Sequence, residues 1–88
     1  MSTNIFDADG IKGELGSTDN YRFIYEVAEN QDLVYLKNFF DNGFSIDLRQ
    51  VVNELESVEW PMIEGINEVI ANFVKVLLQC NGIVFLTE

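Results

Sequence analysis

The chain has 88 residues, of which 48% are hydrophobic and 12% aromatic, and its formal net charge at pH 7 is −10. This length predicts a single domain spanning residues 1–88, and the hydrophobic content excludes a disordered acidic tail. Fifteen Asp and Glu residues against five Lys and Arg residues argue against direct binding to DNA or RNA.

The sequence contains no pattern typical of targeting or membrane insertion. The first ten residues have neither a basic start nor an apolar run, so no secretory or transit peptide is predicted. The longest apolar stretch, from Val69 to Leu78, is interrupted by Asn72 and Lys75 and is too short to span a bilayer. Cys80 is the single cysteine, which rules out an internal disulfide and favours a cytoplasmic protein with a buried thiol.

The first thirty residues fit two interpretations. Large side chains alternate along residues 21–27, which indicates a strand, whereas the spacing of Ile24 and Ala28 also matches a helix. We favour the strand, because a strand at residues 83–86 needs a pairing partner and the evenly spaced glycines within residues 10–16 are typical of turns.

A first helix is predicted after Asp32, which can serve as its N-cap. The apolar residues within 33–40 share one face at helical spacing. Gly43 followed by Phe44 is typical of a Schellman stop, in which a left-handed glycine ends the helix and the next apolar residue contacts it.

Two further helices are predicted downstream. One begins with Ser45 as N-cap and Asp47 in the first turn, and runs to about Ser57. The other begins at Pro61, which suits a first helical turn, and runs to Gln79. Its apolar positions cover most of the circumference, which indicates a central core helix; they are Met62, Ile63, Ile66, Val69, Ile70, Phe73, Val74, Leu77 and Leu78.

The chain closes on a short apolar run that suits a buried strand. Asn81 and Gly82 can end the preceding helix, and Ile83 to Leu86 form the run. The predicted fold class is therefore α+β: a small single domain in which an N-terminal β-hairpin-like segment and a C-terminal strand pack on three consecutive helices.

The residues needed for most catalytic chemistry are missing. The sequence has no histidine, which is the commonest general base and zinc ligand, and one cysteine cannot build a structural zinc site. Asp7 to Gly10 resembles the start of a calcium loop, but Thr18 stands where the loop would need its last carboxylate. No glycine-rich phosphate motif is present. We therefore predict no enzyme activity, no cofactor and no metal site.

The charge balance points to a binding function. Carboxylates are densest between Asp47 and Glu68, where Arg49 is the single cation, so one continuous acidic surface is expected there. Trp60 lies within this stretch and could anchor a partner, or it could pack as a staple at the start of the following helix. The predicted partner-binding residues are Asp47, Glu54, Glu56, Glu59, Trp60, Glu64 and Glu68.

Three functional hypotheses follow from these observations. In size, charge and lack of catalytic residues the chain resembles small acidic bacterial immunity proteins, which implies a basic toxin nuclease as partner; the resemblance includes no motif and assigns no residue roles. A phage-type DNA mimic, blocking a restriction or CRISPR effector, is the alternative. The third is a self-assembling subunit, a homodimer formed through the apolar faces of residues 33–40 and 62–78.

Overall fold

The computed structural model describes residues 2–61 and 63–87. Four helices lie between strands at the two ends of the described chain, and the four strands form one antiparallel sheet in the order β2-β1-β4-β3. The α+β class is confirmed. The elements are β1 (Ser2–Asp7), β2 (Gly10–Ser17), α1 (Thr18–Asn30), α2 (Val34–Asn42), β3 (Phe44–Ser45), α3 (Leu48–Ser57), α4 (Ile66–Gln79) and β4 (Val84–Thr87).

The predicted N-terminal hairpin exists, but residues 2–17 form it. Strands β1 and β2 are joined by a two-residue turn in which the amide of Asp9 donates to Asp7 Oδ1 at 2.8 Å, a local bond that favours a turn. The second oxygen of Asp7 accepts from the amide of Asn81 at 3.1 Å and lies 3.8 Å from Lys12 Nζ. Asp7 therefore ties the hairpin turn to the loop that precedes β4.

Burial raises the pKa of the Asp7 carboxyl. The hydrogen bonds from the amides of Asp9 and Asn81, together with the charge of Lys12, outweigh this effect and hold the pKa below its usual value of 3.8. The carboxylate is therefore the form that the folded chain stabilises.

The glycines of β2 are not all turn residues, contrary to the prediction. Gly13 lies inside the strand, and a Cβ added there would stand 2.7 Å from Cγ2 of Val76 on α4. The missing side chain lets α4 pack directly on the strand.

The prediction of a strand over residues 21–27 is wrong, because these residues belong to α1. Ser17 caps the helix, its hydroxyl accepting from the amide of Asn20 at 3.4 Å, and Ile24 and Ala28 are buried on one face. With residues 2–17 already paired as a hairpin, β4 has its partner in β1, and no strand is required from the alternating segment. The segment therefore follows the helical spacing of Ile24 and Ala28 and not the alternation typical of a strand.

Contrary to the prediction, Asp32 does not cap α2. It lies just after the end of α1 instead. It adopts φ 54°, and the amides of Asp32 and Leu33 donate to the carbonyls of Glu29 and Ala28 at 3.4 and 2.9 Å. These two bonds define a Schellman motif with a left-handed aspartate. The N-cap of α2 is Leu33, which has no polar side chain to offer.

The predicted stop at Gly43 is confirmed, with a different geometry. Gly43 has φ 77°, and its amide donates to the carbonyl of Phe39 at 2.9 Å, the single bond of the simpler left-handed motif. Phe44 lies in β3, where its ring is tilted against that of Phe85 with centroids 6.3 Å apart. Ser45 is likewise a β3 residue, and Asp47 occupies the N-cap position of α3.

Helix α4 begins five residues later than predicted. Gly65 stands at its N-cap in the left-handed conformation, φ 83°, which interrupts a helix starting at Pro61. Leu78 on α4 is 69% exposed, so the helix lies at the surface of the core and is not surrounded by it; Ile63, which precedes the helix, is 52% exposed. Met62 lies outside the described residues.

One cluster of buried side chains connects the sheet to all four helices. Tyr21 stacks on Phe40 with ring centroids 4.6 Å apart, and Phe39 and Phe73 extend the aromatic centre. Cys80 is buried as expected, and its thiol donates to the carbonyl of Val76 at 3.2 Å. Within residues 2–61 and 63–87, no helix combines the length and hydrophobicity needed to cross a bilayer.

Candidate functional site

Glu54 has a structural contact that its sequence context did not reveal. Its carboxylate accepts hydrogen bonds from the amides of Leu36 and Tyr35, at 2.7 and 3.2 Å. These amides belong to the first turn of α2, so Glu54 caps a neighbouring helix from α3. Both oxygens of the half-buried Glu54 carboxylate are engaged in this cap, and its role in partner binding stays a prediction.

The structure separates Glu54 from Glu56, although they are two residues apart. Glu54 faces α2, whereas Glu56 lines the groove between α3 and α4. A two-residue step rotates the chain by about 200° around a helix, which places the two carboxylates on opposite flanks. The single continuous surface expected from the sequence is therefore divided.

Asp47 also lies apart from the other acids. It is exposed at the N-cap of α3, where its side chain makes no capping hydrogen bond, and its amide donates to Ser45 Oγ at 3.0 Å. About nine residues of helix, roughly 13 Å, separate it from Glu56.

Four exposed carboxylates follow one another from the last turn of α3 to the first turn of α4. We call this set the acidic connection; its members are Glu56, Glu59, Glu64 and Glu68. Glu64 and Glu68 line one shallow depression at the start of α4. The sequence has no Lys or Arg between positions 50 and 74. In the described part of the chain the ion pairs are those of Lys12 with Asp7 and Asp9, so no member of the acidic connection forms an ion pair there; Arg49 lines the same groove as Glu56 without pairing with it.

Trp60 lies within the acidic connection but is only half-buried against the core. Its indole Nε1 donates to the carbonyl of Leu55, near the end of α3, at 2.9 Å. The ring is thus fixed in place, and its exposed part remains accessible beside the carboxylates.

An apolar groove adjoins the acidic connection. Leu48, Val52 and Leu77 line its floor, Leu78 projects from its edge, and Glu56 closes one side; its volume is about 400 Å³. Sequence reasoning missed Leu78 as a surface residue because its spacing on α4 resembles that of the core positions. The signal that could have found it is its closeness to the polar stripe, since Lys75 lies three residues before it on α4.

Two of the three tyrosines make hydrogen bonds within the fold. Tyr21 donates to the carbonyl of Phe40 at 3.1 Å, and Tyr25 donates to Asp41 Oδ1 at 2.8 Å, a bond that raises the pKa of Tyr25. Tyr35 is 41% exposed and is the most accessible of the three.

The surface offers hydrogen-bond acceptors and apolar contacts. Among the described residues, no three side chains of the metal-ligating types come together. Cys80, the one possible nucleophilic thiol, is buried, and that burial raises its pKa. What the arrangement can do chemically is attract positive charge and bury apolar surface.

Comparison with known proteins finds no protein-family model, no curated protein and no solved structure that matches this chain.

Proposed function

We propose that this chain is a non-catalytic binding protein of the cytoplasm whose partner is a basic protein. The observation that supports this proposal is the acidic connection, in which four exposed carboxylates lie close in the chain with no cation paired to them. Such an arrangement destabilises the folded chain through repulsion, and it accelerates association with a positively charged surface by about 10- to 1,000-fold.

A toxic nuclease is the partner class that fits this surface best, which makes the chain an immunity-type inhibitor. A nuclease cleft is positive because it binds phosphates. Leu78 and the exposed part of Trp60 provide apolar area next to the carboxylates, and apolar anchors supply the affinity that exposed charges alone do not. A phage-type DNA mimic would depend on the carboxylates alone.

The partner can be identified by affinity capture with the tagged full chain. Capture at low and at high salt, followed by mass spectrometry, should return one basic protein that salt releases. Recovery of an acidic or neutral protein that salt does not release would contradict the proposal.

Charge reversal then tests the acidic connection directly. The double variant Glu56→Lys/Glu59→Lys should slow association with the captured partner by about tenfold or more and leave the dissociation rate nearly unchanged. The matched control is Glu26→Lys/Glu29→Lys on α1, which makes the same change in net charge with exposed residues of another helix. Equal slowing by the two pairs would show that net charge acts and that the acidic connection has no special role.

Alanine substitution separates the inhibitor classes. An immunity-type complex should lose at least tenfold in affinity with Leu78→Ala or Trp60→Ala, because anchors dominate such interfaces. A DNA mimic should lose little at either position and should weaken steeply with salt.

A further inference from the structure

The open face of the sheet carries a row of apolar side chains that crosses all four strands. Ile11 on β2 lies opposite Phe6 on β1, Phe6 lies opposite Phe85 on β4, and Phe85 lies opposite Phe44 on β3. Residues directly opposite each other in antiparallel strands lie on the same face of the sheet. The rings of Phe44 and Phe85 are 6.3 Å apart.

The helices pack on the other face of the sheet. Ile5, Leu15 and Val84 are at most 2% exposed there and belong to the core cluster. Ile46 and Ile83 continue the alternation of Phe44 and Phe85 by two residues, so they extend the apolar row toward one end of the sheet. We call this set the open-face row. Apart from half-buried Phe6, its members and their exposed fractions are Ile11 65%, Phe44 47%, Ile46 66%, Ile83 44% and Phe85 43%.

Few of the described strand residues that lie on the open face are charged. The strands contain three charged residues, Asp7, Lys12 and Glu14. Asp7 is buried on the core side and holds Lys12. Glu14 lies opposite Asn4 on the open face, where its carboxylate accepts from Ser2 Oγ at 3.5 Å. The net charge of −10 therefore resides mainly on the helices and their connections.

We propose that the open face binds a second copy of this chain, sheet against sheet, in a two-fold symmetric dimer. Among the described strand residues, Glu14 is the one charged side chain that a basic partner would meet at this face, whereas a second copy presents the same apolar row. Stacking the two sheets leaves both helical layers, with their carboxylates, on the outside. In this dimer the negatively charged helical layers of the two copies face away from each other.

The area available matches this role. A large aromatic or aliphatic side chain presents about 200 Å² when fully exposed, so the five exposed members of the open-face row offer about 500 Å² per copy. A stable interface buries about 800 Å² per partner, and neighbouring polar residues such as Asn4 and Thr87 on the same face add to the apolar part. Two sheets packed face to face stand about 10 Å apart, a spacing that phenylalanine and isoleucine side chains fill.

The test is the mass of the full chain in solution, measured by light scattering and by sedimentation equilibrium. The mass should rise from 10.1 kDa toward twice that value as concentration increases. Salt should strengthen this association, because it screens the repulsion between two chains of charge −10, whereas salt weakens a complex with a basic partner.

Variants locate the interface. Phe85→Lys should weaken self-association by about tenfold or more, because it buries an unpaired ammonium at the centre of the row. Ile11→Lys tests the same interface from the edge strand β2, where a substitution is less disruptive to the fold. The matched control is Leu78→Lys, at an aliphatic residue on the helical side about as exposed as Ile11, which should leave the mass unchanged.

Three results would overturn the dimer. One is a mass of 10.1 kDa at every concentration and salt. A second is a dimer that Leu78→Lys disrupts and Phe85→Lys does not. The third is a monomer in which Phe85→Lys abolishes binding of a different protein. None of these results changes the slower association expected for Glu56→Lys/Glu59→Lys. The dimer proposal and the basic-partner proposal can therefore be refuted independently.

Discussion

The carboxylate of Glu54 on α3 accepts a hydrogen bond of 2.7 Å from the amide of Leu36 on α2. A second bond, from Tyr35, engages the other oxygen, at the end of a helix whose own N-cap residue is Leu33. A negative charge at a helix N-terminus is favourable because the first amides lack partners and the helix dipole is positive there. Glu54 thus joins the two helices and supplies the cap that α2 lacks.

Replacement of Glu54 by alanine should lower the free energy of unfolding by about 1 to 2 kcal/mol, the usual effect of losing a helix cap. Glu56→Ala, two residues along the same helix and fully outside the capping contact, should change it by less than about 0.5 kcal/mol. Urea unfolding of the two variants provides the comparison. Equal effects would mean that the bonds to α2 contribute nothing to stability.

Asp32→Gly should stabilise the protein by about 0.5 to 1 kcal/mol, because glycine adopts φ 54° without the steric penalty that aspartate experiences. Glu26→Gly, in the middle of α1, should have the opposite effect and destabilise by about 1 kcal/mol. Thermal unfolding distinguishes the signs. A loss of stability with Asp32→Gly would indicate that the aspartate side chain contributes more than its backbone strain costs.

Gly13→Ala should destabilise by about 1 to 3 kcal/mol, because the new methyl group would lie 2.7 Å from Val76 Cγ2. Val76→Ala removes the opposing methyl groups. The double variant should therefore be more stable than the sum of the two single effects implies, by about 1 kcal/mol. Strict additivity in a double-mutant cycle would show that α4 and β2 do not meet at this point.

The contribution of Asp7 to stability should depend on pH. Its pKa is lowered in the folded chain, so its stabilising effect is present above the usual value of 3.8 and is lost as pH falls through the lower folded pKa. The difference in stability between the unsubstituted chain and Asp7→Asn should accordingly be largest near neutral pH and shrink below about pH 4. Acidification also protonates the other carboxylates and relieves their mutual repulsion. This effect is the same in both chains, so it cancels when the difference in stability is measured.

Asp9→Asn is the control for this pH series, because the Asp9 side chain is 70% exposed and lies 3.8 Å from the same Lys12 ammonium. It should show a small difference from the unsubstituted chain at every pH. A difference for Asp7→Asn that persists unchanged into acid would contradict the lowered pKa.

Some of the fold follows from the sequence because local signals and tertiary packing agree. The long apolar periodicity of α4, the glycine at position 43 and the closing run in β4 each predict an element that the structure contains. Residues 21–27 match both a strand and a helix in their spacing, so the choice between the two depended on which other segments form the sheet. Strand β2 was missed because Gly13 weakens strand propensity. A glycine is needed at this position because Val76, from a distant part of the chain, packs against it.

The candidate site was predictable to a similar extent. Unpaired carboxylates between positions 47 and 68 are expected to face solvent because burying a charge is costly, and five of the six do. Glu54 differs because its partner amides belong to another helix, which no local pattern reveals. The open-face row depends on strand register, since Phe44 and Phe85 stand forty-one positions apart and meet only when β3 pairs with β4.

The position of β1 determines the order in which the sheet can be completed. Its hairpin with β2 closes over a two-residue turn, but its other edge pairs with β4, placing Asn4 opposite Thr87 at the far end of the chain. Closing so long a loop is slow and entropically costly, whereas the hairpin forms quickly. We therefore expect one row of amides and carbonyls on β1 to stay unpaired until β4 pairs with it, which removes an edge on which a neighbouring molecule could otherwise pair.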